Sequence, residues 1–171
     1  MITQQHWRWV TLNALIGTAI TNLVVNFGIV LFSARGVHHV PTWTISAVHP
    51  GVTSDLLGIL FTLPLITCIL VSLGLRRELA DGKLPYVDAA VFGRWRMLTI
   101  ASTGKRALRF GGMTILLAGP PLLIATAIAA RHGMSHNEFV AFHVAMTVTL
   151  GILVTPVIAL AAMTVSPAAT D

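Results

Sequence analysis

Four long apolar stretches alternate with shorter polar segments along this chain. They cover residues 10–32, 56–75, 110–130 and 139–163, and none of them contains Asp, Glu, Lys or Arg. A bilayer core about 30 Å thick is crossed by about 20 apolar residues in a helix, and within lipid a helix satisfies its own backbone amides. The pattern therefore predicts an all-α, polytopic membrane protein, a four-helix transmembrane bundle in which residues 1–171 form a single membrane domain.

The composition supports this prediction. Hydrophobic residues make up 55% of the chain and charged residues only 10%, which leaves too little polar surface to cover a water-soluble globule. The four stretches occupy more than half of the 171 residues, so an independent soluble domain is not expected. The single cysteine, Cys68, lies inside the second stretch and excludes a disulfide framework.

The distribution of basic residues predicts the orientation. Eight of the eleven Lys and Arg residues fall in the segment 76–109, which has a net charge of +5 once its three acidic residues are subtracted. Because Lys and Arg favour the cytoplasmic side, we expect a basic cytoplasmic loop here and both termini on the same side. The compact loops and the lack of a eukaryotic targeting element favour a multi-pass protein of the bacterial cell inner membrane.

Part of this loop resembles a helix that lies in the lipid headgroup layer, because Arg94 and Arg96 alternate with apolar residues around Trp95. Anionic lipid is the expected ligand, and a cytoplasmic protein partner is the alternative; nucleic acid is not expected. The residues predicted to contact headgroups are Arg76, Arg77, Arg94, Arg96, Lys105 and Arg106.

Two pairs of similar strings indicate an internal duplication. Residues 57–64 (LGILFTLP) resemble 150–156 (LGILVTP), and residues 34–39 (ARGVHH) resemble 130–136 (ARHGMSH). The order of the matches predicts two duplicated helical hairpins, arranged as parallel repeats about an axis along the membrane normal. Chance similarity between apolar strings is the alternative.

Small and polar residues recur at helical spacing within the four stretches, as close packing of helices in lipid requires. We expect them to form a polar core, either as contacts between helices or as a polar pathway. The predicted core residues are Asn22, Asn26, Asp55, Thr62, His143, Thr147 and Thr155. Asp55 is expected at the outer edge of its span, and the lack of a deeper carboxylate argues against a proton-coupled transporter.

Histidines gather on the predicted outer side. His38, His39, His132 and His136 are candidate ligands of zinc or copper, and His49 lies in the same outer region. Gly133 is expected to end a helix between His132 and His136, which weakens an i, i+4 metal site. Scattered interfacial histidines without a ligand are the alternative.

These features favour a small integral membrane protein, either a permease-like protein or an accessory membrane subunit, that works as a homo-oligomer or with a membrane complex partner. A metal- or haem-handling protein is the second hypothesis. The third is an outer-leaflet lipid-modifying enzyme that uses His39, Asp55, His136 and Glu138, although the sequence contains no recognisable catalytic motif. No cofactor can be assigned from the sequence.

Overall fold

Four long helices dominate the computed structural model, which describes residues 2–44, 51–99 and 102–164, apart from the side chains of residues 13 and 14. They are α1 (Gln4–Ser33), α2 (Val52–Ala80), α3 (Thr103–Ala129) and α4 (His136–Ala162). Each helix is long and apolar enough to cross a membrane. The predicted all-α fold with four apolar helices is therefore confirmed, although every helix begins several residues before the apolar stretch it contains.

Helix α1 differs from the other three in its backbone. Two of its stretches, Val10–Ile16 and Asn22–Asn26, have the wider turns of a π-helix. Such turns are uncommon and are found mostly as short insertions in α-helices, frequently at functional sites. The second stretch begins and ends with the two asparagines of the predicted polar core.

The helices pack in the order α1, α4, α2, α3, so that α2 and α4 form the centre. In the most apolar window of each helix, half of α2 and 44% of α4 are buried, against 11% of α1 and of α3. Two pairs of helices, α1 with α2 and α3 with α4, make few contacts with each other although each pair is joined directly by the chain, whereas α2 and α3 pack closely. The predicted polar stripes therefore do not all converge on one common core, and most of the buried surface lies on the two central helices.

At one end of the helices, which we call the basic end, the chain between α2 and α3 folds back over the bundle. It contains a 3₁₀ helix, Ala89–Leu98, that is capped by the preceding residue, Asp88. The carboxylate of Asp88 accepts a hydrogen bond from the amide of Ala90. Gly93 interrupts this helix with a φ of 49°. The segment predicted to form a helix therefore consists of two short 3₁₀ turns joined at a glycine, and its location in the headgroup layer stays a prediction.

At the opposite end, which we call the histidine end, a two-stranded antiparallel ribbon joins the chain after α1 to the chain before α4. Strand β1 (His39–Val40) follows α1, and strand β2 (Met134–Ser135) precedes α4. Each strand follows a turn with a glycine of positive φ, 78° at Gly36 and 79° at Gly133. The sequence did not predict this ribbon, although Gly133 does follow the end of α3, as expected.

Large apolar side chains cover the outside of the helices. Phe32, Leu116 and Ile128 are 80%, 74% and 70% exposed, and they belong to a set distributed over all four helices. An exposed apolar surface of this extent is unfavourable in water and suits contact with lipid chains.

Candidate functional site

An acidic and an imidazole side chain meet between the two central helices. Asp55 is the fourth residue of α2, and His143 is the eighth residue of α4, about 10 Å along the helix from its start. The Nδ1 atom of His143 lies 2.8 Å from Oδ2 and 3.0 Å from Oδ1 of Asp55. The side chains are only 8% and 19% exposed, so the pair is largely shielded from solvent.

The two ring nitrogens of His143 have different surroundings. An ionised carboxylate only accepts hydrogen bonds, so Nδ1 of His143 must carry the proton that is donated to Asp55. The other ring nitrogen, Nε2, is buried and has no hydrogen-bond partner among the described residues. A buried polar atom without a hydrogen-bond partner is energetically costly, so Nε2 is an unusual feature of this pair.

The polar face of α4 continues from this pair toward the middle of the helix. Thr147, one turn after His143, is 1% exposed, and its backbone carbonyl accepts a hydrogen bond of 3.4 Å from the Nδ2 atom of Asn22 in α1. The Oδ1 atom of Asn22 in turn accepts a hydrogen bond of 3.4 Å from Asn26. Gly151 lies against Asn22, where a Cβ atom would collide with the side-chain amide. Five of the seven predicted core residues thus form two hydrogen-bonded groups one turn apart on α4, the pair Asp55 and His143, and the set Asn22, Asn26 and Thr147.

The two remaining residues of the predicted core, Thr62 and Thr155, occupy different environments. Thr62 is exposed, and its hydroxyl donates to the carbonyl oxygen of Gly58, so it does not line the core. Thr155 is fully buried, and its hydroxyl has no partner within the described part of the chain. The two threonines therefore differ in burial although they occupy matching positions of the similar strings.

The four histidines predicted to bind metal lie near the ribbon but do not form a ligand set. His38, His39 and His132 are exposed and His136 is half-buried. The backbone pairs β1 with β2, so His39 is opposite Ser135, and the amide of His136 donates to the carbonyl of His38. Within residues 2–44, 51–99 and 102–164, no three His, Cys, Asp or Glu side chains come close enough together to hold a metal ion. His49 lies outside the described residues.

Five of the six predicted headgroup ligands, Arg76, Arg77, Arg94, Arg96 and Lys105, are exposed at the basic end. The exception is Arg106, which is 2% exposed. Its Nη2 atom donates a 2.7 Å hydrogen bond to Oγ of Ser72 in α2, and Ser72 donates to the carbonyl of Cys68. Arg106 is therefore placed between α2 and α3 and not in contact with headgroups, because the first turn of α3 directs it inward beside Ala107 and Phe110.

One buried polar residue was missed by the sequence reasoning. His6, in the first turns of α1, is fully buried and forms a hydrogen bond of 2.8 Å between Nε2 and the carbonyl oxygen of Pro85. Its Nδ1 atom accepts a 2.9 Å bond from the amide of Thr3. These contacts hold the start of α1 against the basic-end loop, and no pattern in the sequence indicated them.

Taken together, these features define an all-helical protein with four helices long and apolar enough to span a membrane and an Asp–His pair between its two central helices. No protein-family model, no curated protein and no solved structure matches the chain. Its function must therefore be inferred from its own residues.

Proposed function

We propose that this chain is a small permease-like protein of the bacterial inner membrane. In this proposal the Asp55–His143 pair binds a proton from the solution at the histidine end and releases it again during proton movement across the membrane. The observation that carries the proposal is the contact of 2.8 Å between His143 and Asp55 together with the unpartnered, buried Nε2 atom. Ionisable residues within membrane helices are costly and commonly mark ion or proton pathways. Asp55 lies in the first turn of α2, at the edge of its span as expected from the sequence, and its contact with His143, about 10 Å into α4, is what supports proton binding here.

The position of the pair supports a pathway better than a purely structural role. It lies between the two central helices, where the two hairpins meet, and the binding sites of transporters built from repeats occur at such interfaces. The polar contacts continue from Thr147 to Asn22 and Asn26, so groups able to hydrogen-bond extend toward the middle of the bundle. The metal-handling and enzymatic alternatives have no comparable arrangement among the described residues.

Proton flux into liposomes tests the proposal. The purified full chain is reconstituted around a pH-sensitive dye, and a potassium gradient with valinomycin supplies a membrane potential. We expect the internal pH to change faster than in protein-free vesicles. Asp55→Asn and His143→Asn should each return the rate to the protein-free level, because each removes one member of the proton-binding pair.

Two further variants separate loss of the pair from loss of the fold. Glu138→Gln removes an exposed carboxylate five residues before His143 and should leave the flux unchanged. Asp55→His combined with His143→Asp exchanges the partners and should restore flux at least in part. The proposal is wrong if the wild type conducts no faster than empty vesicles, or if Asp55→Asn retains the flux while eluting as a folded protein from a sizing column.

We further propose that the basic end is cytoplasmic and that the chain arose by duplication of a helical hairpin. The positive-inside bias supports the orientation. Three features support the duplication: both outer turns contain a glycine of nearly equal positive φ, the segments after these turns pair with each other, and α1 packs on α4 as α3 packs on α2. The ribbon contacts are those that a local two-fold axis requires, because His38 contacts His136 and His39 contacts Ser135.

A further inference from the structure

An apolar groove runs between the 3₁₀ helix of the basic end and helices α3 and α4. Its volume is about 370 Å³, and its lining includes Phe92, Trp95, Phe110, Met113, Leu117 and Val157. The hydroxyl of Thr114, which also lines it, is already bonded to the carbonyl of Phe110. The groove therefore offers hydrocarbon contacts and almost no free hydrogen-bonding groups.

Three arginines are sequence neighbours of residues that line the groove. Arg94 and Arg96 flank Trp95 in the 3₁₀ helix and are exposed. Arg109, also exposed, donates a 2.8 Å hydrogen bond from Nη1 to the carbonyl of Met97, which ties α3 to the 3₁₀ helix beside the groove. Residues 89–137 contain no Asp or Glu, so nothing in this segment neutralises the arginines. A ligand that fits this site has an anionic head and an apolar chain.

We propose that this groove binds one acyl chain of an anionic phospholipid from the leaflet at the basic end, with the phosphate held by Arg94, Arg96 and Arg109. The position along the helices fits that leaflet, because Phe110 and Leu117 lie roughly 10 and 21 Å from the start of α3. Basic pockets between membrane helices are known to bind acidic lipid headgroups. The inference depends on the membrane location but not on proton movement through the Asp55–His143 pair.

Quenching of Trp95 fluorescence tests the site directly. The full chain is prepared with Trp7, Trp9 and Trp43 replaced by Phe, so that Trp95 is its single tryptophan. Phosphatidylglycerol and phosphatidylcholine with the same brominated acyl chains are then titrated in detergent micelles. We expect phosphatidylglycerol to quench Trp95 at a much lower mole fraction, because only the anionic lipid satisfies the arginines.

Matched variants distinguish this site from general attraction to a basic surface. Arg94→Gln with Arg96→Gln should weaken the preference for phosphatidylglycerol roughly 30-fold, at about 1 kcal/mol per basic residue. Arg76→Gln with Arg77→Gln removes the same charge from the end of α2 and should change the preference for phosphatidylglycerol little.

Steric variants test the groove itself. Leu117→Phe fills the groove and should reduce quenching by either lipid, whereas Leu116→Phe, next to it but not among the lining residues, should not. Equal quenching by the two lipids would contradict the proposal. The proposal would also be contradicted if both arginine pairs changed the lipid preference equally, or if Leu116→Phe and Leu117→Phe reduced quenching equally. Because no proton flux is measured, failure here leaves the proposed function intact, and failure of the flux assay leaves this site intact.

Discussion

Arg106 and His143 show how individual buried residues differ from the expectations set by their residue type. Arg106 was grouped with the headgroup ligands because it belongs to a basic segment, yet it is buried against Ser72. A guanidinium in a poorly solvated place requires hydrogen-bond acceptors, and the Ser72 hydroxyl supplies one. His143 was expected to be moderately deep, but its partnership with Asp55 depends on how α2 and α4 pack.

Gly58 and Gly151 occupy matching positions of the similar strings, and replacing each one tests the packing around a single residue. Gly151→Ala should disturb the contact between α4 and α1, because the added Cβ would collide with the amide of Asn22. Gly58→Ala, at the matching position of α2, meets no atom within 4 Å and should leave stability unchanged or raise it by up to about 1 kcal/mol. Thermal unfolding in detergent measures both. A lower midpoint for Gly58→Ala than for Gly151→Ala would contradict the described packing.

At the scale of elements, most helix contacts are between the two predicted hairpins, α1 with α2 and α3 with α4, and not within them. Helix α1 packs on α4, α3 packs on α2, and the β ribbon joins the chain after α1 to the chain before α4. Few contacts hold together the two helices of one hairpin. A single hairpin is therefore expected to leave much of its buried surface uncovered.

This arrangement predicts that the two halves of the chain assemble when they are made separately. Fragments 1–99 and 100–171, co-expressed with a tag on one of them, should purify together as a complex of one copy of each. Gly111→Leu should weaken the complex, because a side chain at this position of α3 collides with the backbone and ring of Phe61 in α2. Gly112→Leu, with no atom within 4 Å of its Cβ position, is the matched control. Recovery of the tagged fragment alone would refute the interlocked packing.

At the scale of the whole molecule, charge and apolar surface are arranged along one axis. Exposed apolar side chains surround the four helices, and most of the basic residues gather at one end. The few exposed acids there are partly engaged, since Asp81 lies 3.0 Å from Nζ of Lys83 and raises the pKa of that amine by a hydrogen bond and by its charge. Lys83 therefore remains charged at neutral pH and contributes to the positive charge of the basic end.

Cysteine labelling in intact cells tests this orientation. With Cys68→Ala as background, His38→Cys should react with a membrane-impermeant maleimide from outside. Lys83→Cys should react only after the membrane is permeabilised, because it lies in the exposed loop at the opposite end. Labelling of Lys83→Cys in intact cells would show that the orientation is opposite to the one proposed. It would also place the histidine end, and the approach to Asp55 and His143, on the cytoplasmic side.

The sequence by itself determined the number of apolar helices and the location of the basic segment. Both depend on local composition: about 20 apolar residues in a row favour a helix in lipid regardless of what packs beside them. The regular spacing of small and polar residues on α4 could also be identified from the sequence, because helical periodicity places His143, Thr147, Gly151 and Thr155 on one face.

Only the tertiary structure decided which faces meet. Asp55 and His143 are 88 residues apart, and their contact depends on α2 packing beside α4 and not on any local pattern. The same packing covers Thr155 but exposes Thr62, and it turns Arg106 inward while leaving Lys105 outside. Helical periodicity defines the faces of a helix, but the neighbour that covers each face is set by long-range contacts, which one sequence does not specify.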